Sequence, residues 1–537
     1  MSTNTNPEVV TRLERRPEAR SFSIEDLLQE IRIGRIRVPP FQRGLRWENV
    51  DRLNLFDSIY RGFPIGTLLF WKRQAEAGAV TFGRFAVDSE ARSDALWVVD
   101  GQQRITTLAD VLLVGPGTDP EGRTIRFDLE ERKFAYGNAG QKAPPRWIPV
   151  SEVHDSARLL AWAYANHLKG TELSNALDLG KRLREYQVPA YVVEAIDEEV
   201  LRQIFDRSNS SGKALTASEV FDALHGAVTP GEPASLRGVA KDLKDLKFGQ
   251  VEEDLVLRAL LAVRGKDPAR GFRQIPRDDV PEALAETASA LRQAITFVKT
   301  VAQFPHIELL PYKLPLATLS LFFHVHRDPN PRTRRLLTRW LWRGAISGTH
   351  RGDTVGLRRT LKAITPGNEE RSVQKLLAEA GDPPSELPSL RPFKFNHART
   401  KLQLVALAAL GPRHLATGGD LDITKLCEQP SGPTVRLSTK SRIPEAEGLA
   451  NRLLHPPMAG IPYRKRLADC KDEAVLRTHI VSQEAQNALH QDDFASFLRL
   501  REVDIQRYVS GFLDSKAEWE AADRDRPSLA SLVVADE

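Results

Sequence analysis

Cysteine and long apolar runs are nearly absent from this 537-residue chain. Its two cysteines, Cys427 and Cys470, exclude a disulfide scaffold and a cysteine-rich zinc site, and they fit a reducing compartment. No run approaches roughly 18 apolar residues, so we expect no transmembrane helix. The first twenty residues lack the apolar core of a signal peptide. We therefore expect a cytoplasmic protein without a membrane partner. A Gly-x-x-x-x-Gly-Lys-Ser/Thr pattern is also lacking, which excludes a P-loop site.

The charges that are present nearly balance. Lysine and arginine number 76 against 71 acidic residues, a net charge of +5 that is too small to indicate a nucleic-acid partner by itself. At about 100–200 residues per domain, the length predicts about three domains. Strand and helix patterns alternate over residues 21–225, and the strand signal nearly vanishes afterwards, which predicts an α+β protein. The expected divisions are a flexible lead over 1–20 and domains over 21–230, 231–382 and 383–537.

The first domain contains a strand–turn–helix corner. A β-branched run ends at Asp100 and Gly101, and Gln102, Gln103 and Arg104 then open a predicted helix. Backbone N–H groups at such a corner point outward, where they suit an anion, and amides and a guanidinium suit a phosphorylated ligand. The alternative is a purely structural corner, in which Asp100 caps the helix and Arg104 pairs with a distant acid.

The second domain contains a basic stretch. Residues 331–362 contain nine lysines and arginines but only one acid, Asp353, and two tryptophans lie among the basic residues. Clustered guanidiniums are typical of a surface for the phosphate backbone of DNA. A solvated helix face is the alternative interpretation. The predicted DNA-binding residues are Arg334, Arg335, Arg339 and Arg343.

Four segments together carry a family resemblance. They are Val38–Arg43 with Trp47, Asp57–Gly66, the corner at Asp100–Arg104, and Ile204–Leu215. In this order and spacing they resemble the amino-terminal domain of the GmrSD-type restriction endonucleases, a family similar to the ParB/sulfiredoxin-like superfamily. The resemblance covers residues 21–225. It implies a ParB/sulfiredoxin-like α/β domain followed by mainly α-helical middle and carboxy-terminal regions.

The resemblance also implies a site that binds and hydrolyses a nucleoside triphosphate, with Mg²⁺ as the expected companion ion. Arginines there would stabilise phosphate charge, and glutamines would orient a phosphate, a sugar hydroxyl or the attacking water. The implied catalytic residues are Asp100, Gln102, Gln103 and Arg104. The implied nucleotide-binding residues are Phe41, Gln42, Arg43, Gly101, Asn209 and Gly212, of which the last two equally fit a simple turn. No direct metal ligand is predicted.

Relatives often end in an HNH-type nuclease, which needs a histidine base near the end of a first strand. Here Gly448–Leu454 and Lys465 resemble the later part of such a domain. The position expected for the base is occupied by Leu421–Leu426, which has no histidine. His479, with Asn487 and His490 beyond it, follows in the wrong order and within one predicted helix. Single histidines such as His414 and His455 are more often structural residues. We therefore expect a degenerate nuclease-like or helical module.

Three functions follow as hypotheses. The first is a nucleotide-binding, NTP-hydrolysing component of a bacterial anti-phage or restriction system that acts on modified DNA, with a partner nuclease or defence subunit. The second is a complete NTP-regulated endonuclease with an unrecognised carboxy-terminal metal site. The third is a ParB-like DNA-binding adaptor that does not hydrolyse. Oligomerisation is compatible with each of them.

Overall fold

The computed structural model describes most of the chain, as two compact units spanning residues 1–228 and 229–537. The first unit mixes strands and helices and the second is mainly helical, which confirms the predicted α+β class. The further boundary near residue 382 stays a prediction. The described residues are 16–38, 47–114, 124–137, 144, 146–194, 218, 221, 235–268, 275, 279–352, 354–384, 389–439 and 443–524.

A five-stranded mixed sheet organises the first unit. Its order is β1-β10-β3-β6-β2, and β10 with β3 and β2 with β6 run parallel while the other pairs are antiparallel. A hairpin, β4–β5, and a three-stranded sheet, β8-β7-β9, lie beside it. The strands are β1 Glu18–Ser23, β2 Ile36–Arg37, β3 Leu68–Ala75, β4 Gly78–Phe82, β5 Phe85–Ser89, β6 Arg92–Asp100, β7 Ile125–Asp128, β8 Lys133–Tyr136, β9 Trp147–Pro149 and β10 Gln187–Val193.

The helices of this unit pack their apolar residues, with those of the sheet, into one core. Ser23 is followed by acids, a pattern that predicts an N-cap and the first turn of a helix. In the structure Ser23 caps the first helix and forms a capping box with Asp26. The sequence predicts Asn49 as the N-cap of a second helix that begins at Val50. In the structure this helix begins one residue earlier, and its N-cap is Glu48, whose backbone N–H donates to Asp51 Oδ2 at 3.0 Å. The helices are α1 Ile24–Arg32, α2 Asn49–Arg61, α3 Gln102–Leu112, α4 Ser156–Ala165 and α5 Gly170–Glu185.

Two local predictions in this unit were too broad. Apolar and basic residues alternate from Ile31 to Val38, which predicts a half-buried strand. In the structure this strand is only Ile36–Arg37, because α1 continues through Arg32 and the chain then turns at Gly34 with a φ of 66°. The sequence also predicts helical structure throughout residues 156–186. The structure has two helices there, α4 and α5, separated by a turn at His167, which has a φ of 55°.

The second unit is built from helices and one short strand pair. Among its described residues, strand structure is confined to β11 Thr434–Arg436, β12 Arg452–Leu454 and one isolated bridge. Where the chain is described, no helix combines the length and apolar character needed to cross a membrane. The helices are α6 Leu236–Asp242, α7 Glu253–Val263, α8 Val280–Thr300, α9 Pro315–Val325, α10 Pro331–Ser347, α11 Thr354–Ala363, α12 Glu369–Ala378, α13 Ala398–Ala409, α14 Ile423–Cys427, α15 Tyr463–Ala468, α16 Glu473–Thr478, α17 Gln483–His490 and α18 Phe494–Ala517.

Candidate functional site

The predicted corner lies where β6 ends and α3 begins. Gly101 takes a φ of 95°, and a Cβ there would lie 2.2 Å from Cδ2 of Leu68, so only glycine fits this turn. Gly101 is also the N-cap of α3, and it brings no side-chain oxygen to the first-turn N–H groups. Those groups have no acceptor within a helix. The corner therefore joins a close backbone approach to an uncapped helix N-terminus, the combination that suits an anionic group.

Arg104 holds this corner to the turn that follows α2. Its Nη1 donates to the carbonyl of Ile65 at 2.9 Å, and its Nη2 donates to the carbonyl of Thr67 at 3.1 Å and to Asp100 Oδ2 at 3.2 Å. Burial lowers the pKa of Arg104, while the charge of Asp100 opposes that shift. Gly66 leaves room for this guanidinium, since a Cβ at residue 66 would lie 2.7 Å from Nη1 of Arg104. Arg104 thus has a structural role at the corner.

The structural alternative from sequence was wrong in its details. Asp100 does not cap α3, since Gly101 is the N-cap. The acid that pairs with Arg104 is Asp100 itself, one helical turn earlier in the chain, and not a distant one. The carboxylate of Asp100 remains about one-third exposed and the Arg104 side chain 13% exposed. The corner is internally braced and still reaches the surface.

The remaining predicted residues of the pocket divide into two groups. Gln102 and Gln103 lie half-buried in the first turn of α3. The Oε1 atom of Gln103 accepts the backbone N–H of Trp47 at 3.4 Å, so α3 contacts the end of the Val38–Trp47 segment. The other predicted nucleotide contacts lie outside the described residues, and they stay predictions: Phe41, Gln42, Arg43, Asn209 and Gly212.

Sequence reasoning missed a buried ion-pair cluster further along α3. Asp110 accepts Arg52 of α2 and Arg84 of the β4–β5 turn. Hydrogen bonds from Arg84 and the charges of both arginines lower the pKa of Asp110, although burial acts in the opposite direction. The available signal was one acid within the otherwise apolar run Leu108–Leu113. Such an acid needs a charged partner when it is buried.

The basic stretch of the second unit is arranged differently from the expectation. On α10, Arg339 and Arg343 are only 3% and 6% exposed, so they present no surface to a phosphate backbone. Arg339 Nε donates to Glu518 at 2.7 Å, and Arg343 forms an ion pair with Asp523. This corrects the prediction for these two residues. The helix buries one arginine-bearing face against residues far away in sequence.

Arg334 and Arg335 remain nearer the surface of α10. Arg334 is half-buried and forms a hydrogen bond at 2.7 Å with Asp328. Arg335 is exposed. The prediction of a DNA-binding face therefore rests on a smaller set of side chains than the sequence indicated.

The carboxy-terminal histidines come together but face backbone groups. The ring centroids of His414 and His455 lie 4.7 Å apart, and those of His455 and His479 lie 6.2 Å apart. His455 Nε2 accepts the N–H of Leu415 at 3.1 Å, and His479 Nε2 donates to the carbonyl of Arg413 at 2.7 Å. Burial lowers the pKa of His455 and His479 to about 4. In the described part of the chain, no group of three or more histidines, cysteines or acids is placed to hold a metal.

The region that resembles a nuclease has a strand pair followed by a short helix, namely β11, β12 and α15. Asn451 precedes β12, and its amide donates to the carbonyls of Ser438 and Ala446, each at 2.9 Å. The sequence predicts that His479 lies within a single helix. In the structure His479 lies in the turn between α16 and α17. The histidine and asparagine side chains of this region therefore support the local fold.

Residues 24–226 match the family model described as the GmrSD restriction endonuclease, N-terminal domain. This confirms the resemblance stated from the four motifs and identifies the first unit as a member of that domain family. The match ends at residue 226, so it does not extend to α6–α18. No curated protein matches the chain.

Proposed function

From the membership of residues 24–226 in the GmrSD N-terminal domain family, we propose that this protein is a nucleotide-dependent component of a restriction system that acts on modified DNA. The first unit binds a nucleoside triphosphate at the β6–α3 corner and hydrolyses it. The second unit is an interaction module, and DNA cleavage belongs to a partner. DNA and a nuclease or defence subunit are the implied partners.

The observation that carries this proposal is the corner itself. An uncapped α3 begins at a glycine whose φ is 95°, and two glutamine amides lie in its first turn. Backbone N–H groups at such an N-terminus attract phosphate oxygens, and an amide side chain can orient a water for attack. Arg104 already donates to two carbonyls and to Asp100. We therefore assign Arg104 to holding the corner, and Gln102 and Gln103 to contact with the nucleotide.

The residues also fit the expected Mg²⁺. Asp100 is the acid at the corner, and its carboxylate is about one-third exposed while it remains bonded to Arg104. Mg²⁺ usually keeps several waters and takes one or two carboxylates together with phosphate oxygens. Asp100 would hold the ion through water. The ion would supply charge neutralisation for the phosphates.

Phosphate release from ATP, GTP, CTP and UTP by the full chain tests the proposal, with Mg²⁺ and with or without DNA. We expect the Gln102→Ala/Gln103→Ala double variant to lose about 100-fold in hydrolysis, as when one positioned donor is removed from other active sites. Gln491→Ala, an exposed glutamine of the second unit, is the matched control and should keep full activity. Absence of both binding and release in the wild type would overturn the proposal.

Two other outcomes would favour the alternatives. Triphosphate binding without release in any condition would favour a DNA-binding adaptor. Cutting of plasmid or modified phage DNA with Mg²⁺ or Mn²⁺, lost in a folded His414→Ala, His455→Ala or His479→Ala variant, would identify a complete endonuclease. The backbone bonds of His455 and His479 argue against the second outcome.

A further inference from the structure

A buried ion pair connects α2 to α3 away from the corner. Arg52 lies in the first turns of α2 and Asp110 near the end of α3, and they are 4% and 2% exposed. Arg52 Nη2 donates to Asp110 Oδ2. Because a buried charge without a partner is strongly unfavourable, this pair fixes the two helices to each other.

The same carboxylate also anchors the β4–β5 turn. The backbone N–H and the Nε of Arg84 both donate to Asp110 Oδ1 at 2.9 Å. Gly83 has a φ of 64°, and a Cβ there would lie 2.8 Å from that oxygen. Asp110 therefore joins three elements, and each of its two arginines can be removed separately.

The corner contains two other links between α3 and the segments that flank α2. Before α2, the N–H of Trp47 is bonded to Gln103. After α2, the carbonyls of Ile65 and Thr67 are bonded to Arg104. Both links lie at the start of α3.

α2 also buries its apolar face in the core of the unit, so the two links at the corner are not its only constraint. Asp110 lies seven residues beyond Gln103, about 10 Å further along the α3 axis. The pair with Arg52 adds a charged contact between α2 and α3 at a distance from the two links at the corner. It also orients the beginning of α2, which directly follows the Val38–Trp47 segment of the resemblance.

We propose that Arg52 and Asp110 are positioning residues, which set the orientation of Gln103 against Trp47 and thereby the geometry of the nucleotide site. The expected effect on triphosphate hydrolysis rests on the proposed function, whereas the expected effect on the orientation of the corner does not. It assigns a role at the site to residues that do not touch the nucleotide. The link through Arg84 joins the same carboxylate to the β4–β5 hairpin and not to α2.

Arg52→Gln and Arg84→Gln form a matched pair, since each removes one guanidinium from the same carboxylate and leaves the other. The first measurement is amide hydrogen exchange of the full chain without nucleotide. We expect faster exchange at residues 47–51 and 102–105 in Arg52→Gln. In Arg84→Gln the increase should be confined to residues 80–87. Equal loosening of the corner by both variants would overturn the inference.

The second measurement separates kcat from KM for triphosphate hydrolysis. Misplacement of a catalytic group by about 1 Å costs up to about 100-fold in rate. We expect kcat of Arg52→Gln to fall roughly 10–100-fold with KM nearly unchanged, and Arg52→Lys to recover part of it. Arg84→Gln should keep the wild-type kcat. Parallel losses in both variants, following their loss of stability, would indicate a purely structural cluster.

Failure of the proposed function and failure of the positioning role would give different results. If the wild type does not hydrolyse any triphosphate, the proposed function fails, and the exchange pattern alone decides whether Arg52 and Asp110 orient the corner. If hydrolysis is present and Arg52→Gln leaves both exchange and kcat unchanged, the positioning role fails and the proposed function stands.

Discussion

The corner of the first unit and helix α10 of the second unit carry arginines in patterns typical of phosphate binding, but they use them differently. Arg104 donates to two nearby carbonyls and an acid of its own motif, and it remains beside an uncapped helix N-terminus. Arg339 and Arg343 pair with carboxylates about 180 residues later in the chain, beyond the end of α18. The first arrangement braces a site that still reaches the surface, whereas the second fastens two helices together. A pattern of arginines in the sequence therefore indicates positive charge, but it does not show which groups accept the hydrogen bonds of these arginines.

The largest expected effect is on the α10 side of this comparison. Arg343→Met leaves the carbonyls of Ala517 and Glu518 without their arginine donor and removes one of the two arginines that pair with Asp523, which keeps Arg339. We expect the free energy of unfolding to fall by about 2–5 kcal/mol, measured by urea denaturation, because each carbonyl left without a donor costs about 1–3 kcal/mol. Arg335→Met, an exposed position of the same helix, should change it by less than about 0.5 kcal/mol. Weaker DNA binding by a fully stable Arg343→Met would contradict the structural assignment.

The next effect is pH dependence, which we expect in the histidine cluster of the second unit. His455 and His479 have pKa values of about 4 in the fold, below the ordinary value of 6.5. The unfolded chain then binds more protons between these values, so stability is present above pH 6.5 and is lost as pH falls towards 4. Full loss amounts to about 3 kcal/mol for each residue.

Urea denaturation as a function of pH measures this loss. Replacement of both residues, in His455→Gln/His479→Gln, should flatten the decline below pH 6.5. His490→Gln, at an exposed histidine, is the control and should leave the pH profile unchanged. A decline of the same steepness in the double variant would show that other groups cause the acid sensitivity.

The smallest effect concerns the corner. Arg104→Lys replaces a planar fork, which reaches three acceptors, with one ammonium that cannot reach all of them. We expect a loss of about 1–3 kcal/mol in unfolding free energy. Arg61→Lys, at an exposed pair with Asp57, should cost less than about 0.5 kcal/mol. An unchanged stability together with a loss of triphosphate affinity would mean that the guanidinium of Arg104 faces the nucleotide.

Much of the local structure could be predicted because its causes lie close together in sequence. The Ser23 cap and the start of α3 after Gly101 follow from residues within a few positions of one another. The strand Ile36–Arg37 and the break between α4 and α5 could not be predicted fully, because positive-φ turns interrupted apolar patterns that continued through them. The Asp110 cluster also escaped prediction, since its two arginines belong to other elements.

By itself, the sequence determined the α+β class, the family of the first unit and the position of the corner, because periodicity, glycine and motif order are local properties. Only the tertiary structure decided what the charges do. It turned Arg339 and Arg343 inward, paired Asp110 with Arg52, and placed His455 and His479 against backbone groups. The physical reason is that a buried charge or imidazole pairs with whichever hydrogen-bond partner the fold brings to it, and in these cases that partner comes from a distant part of the chain.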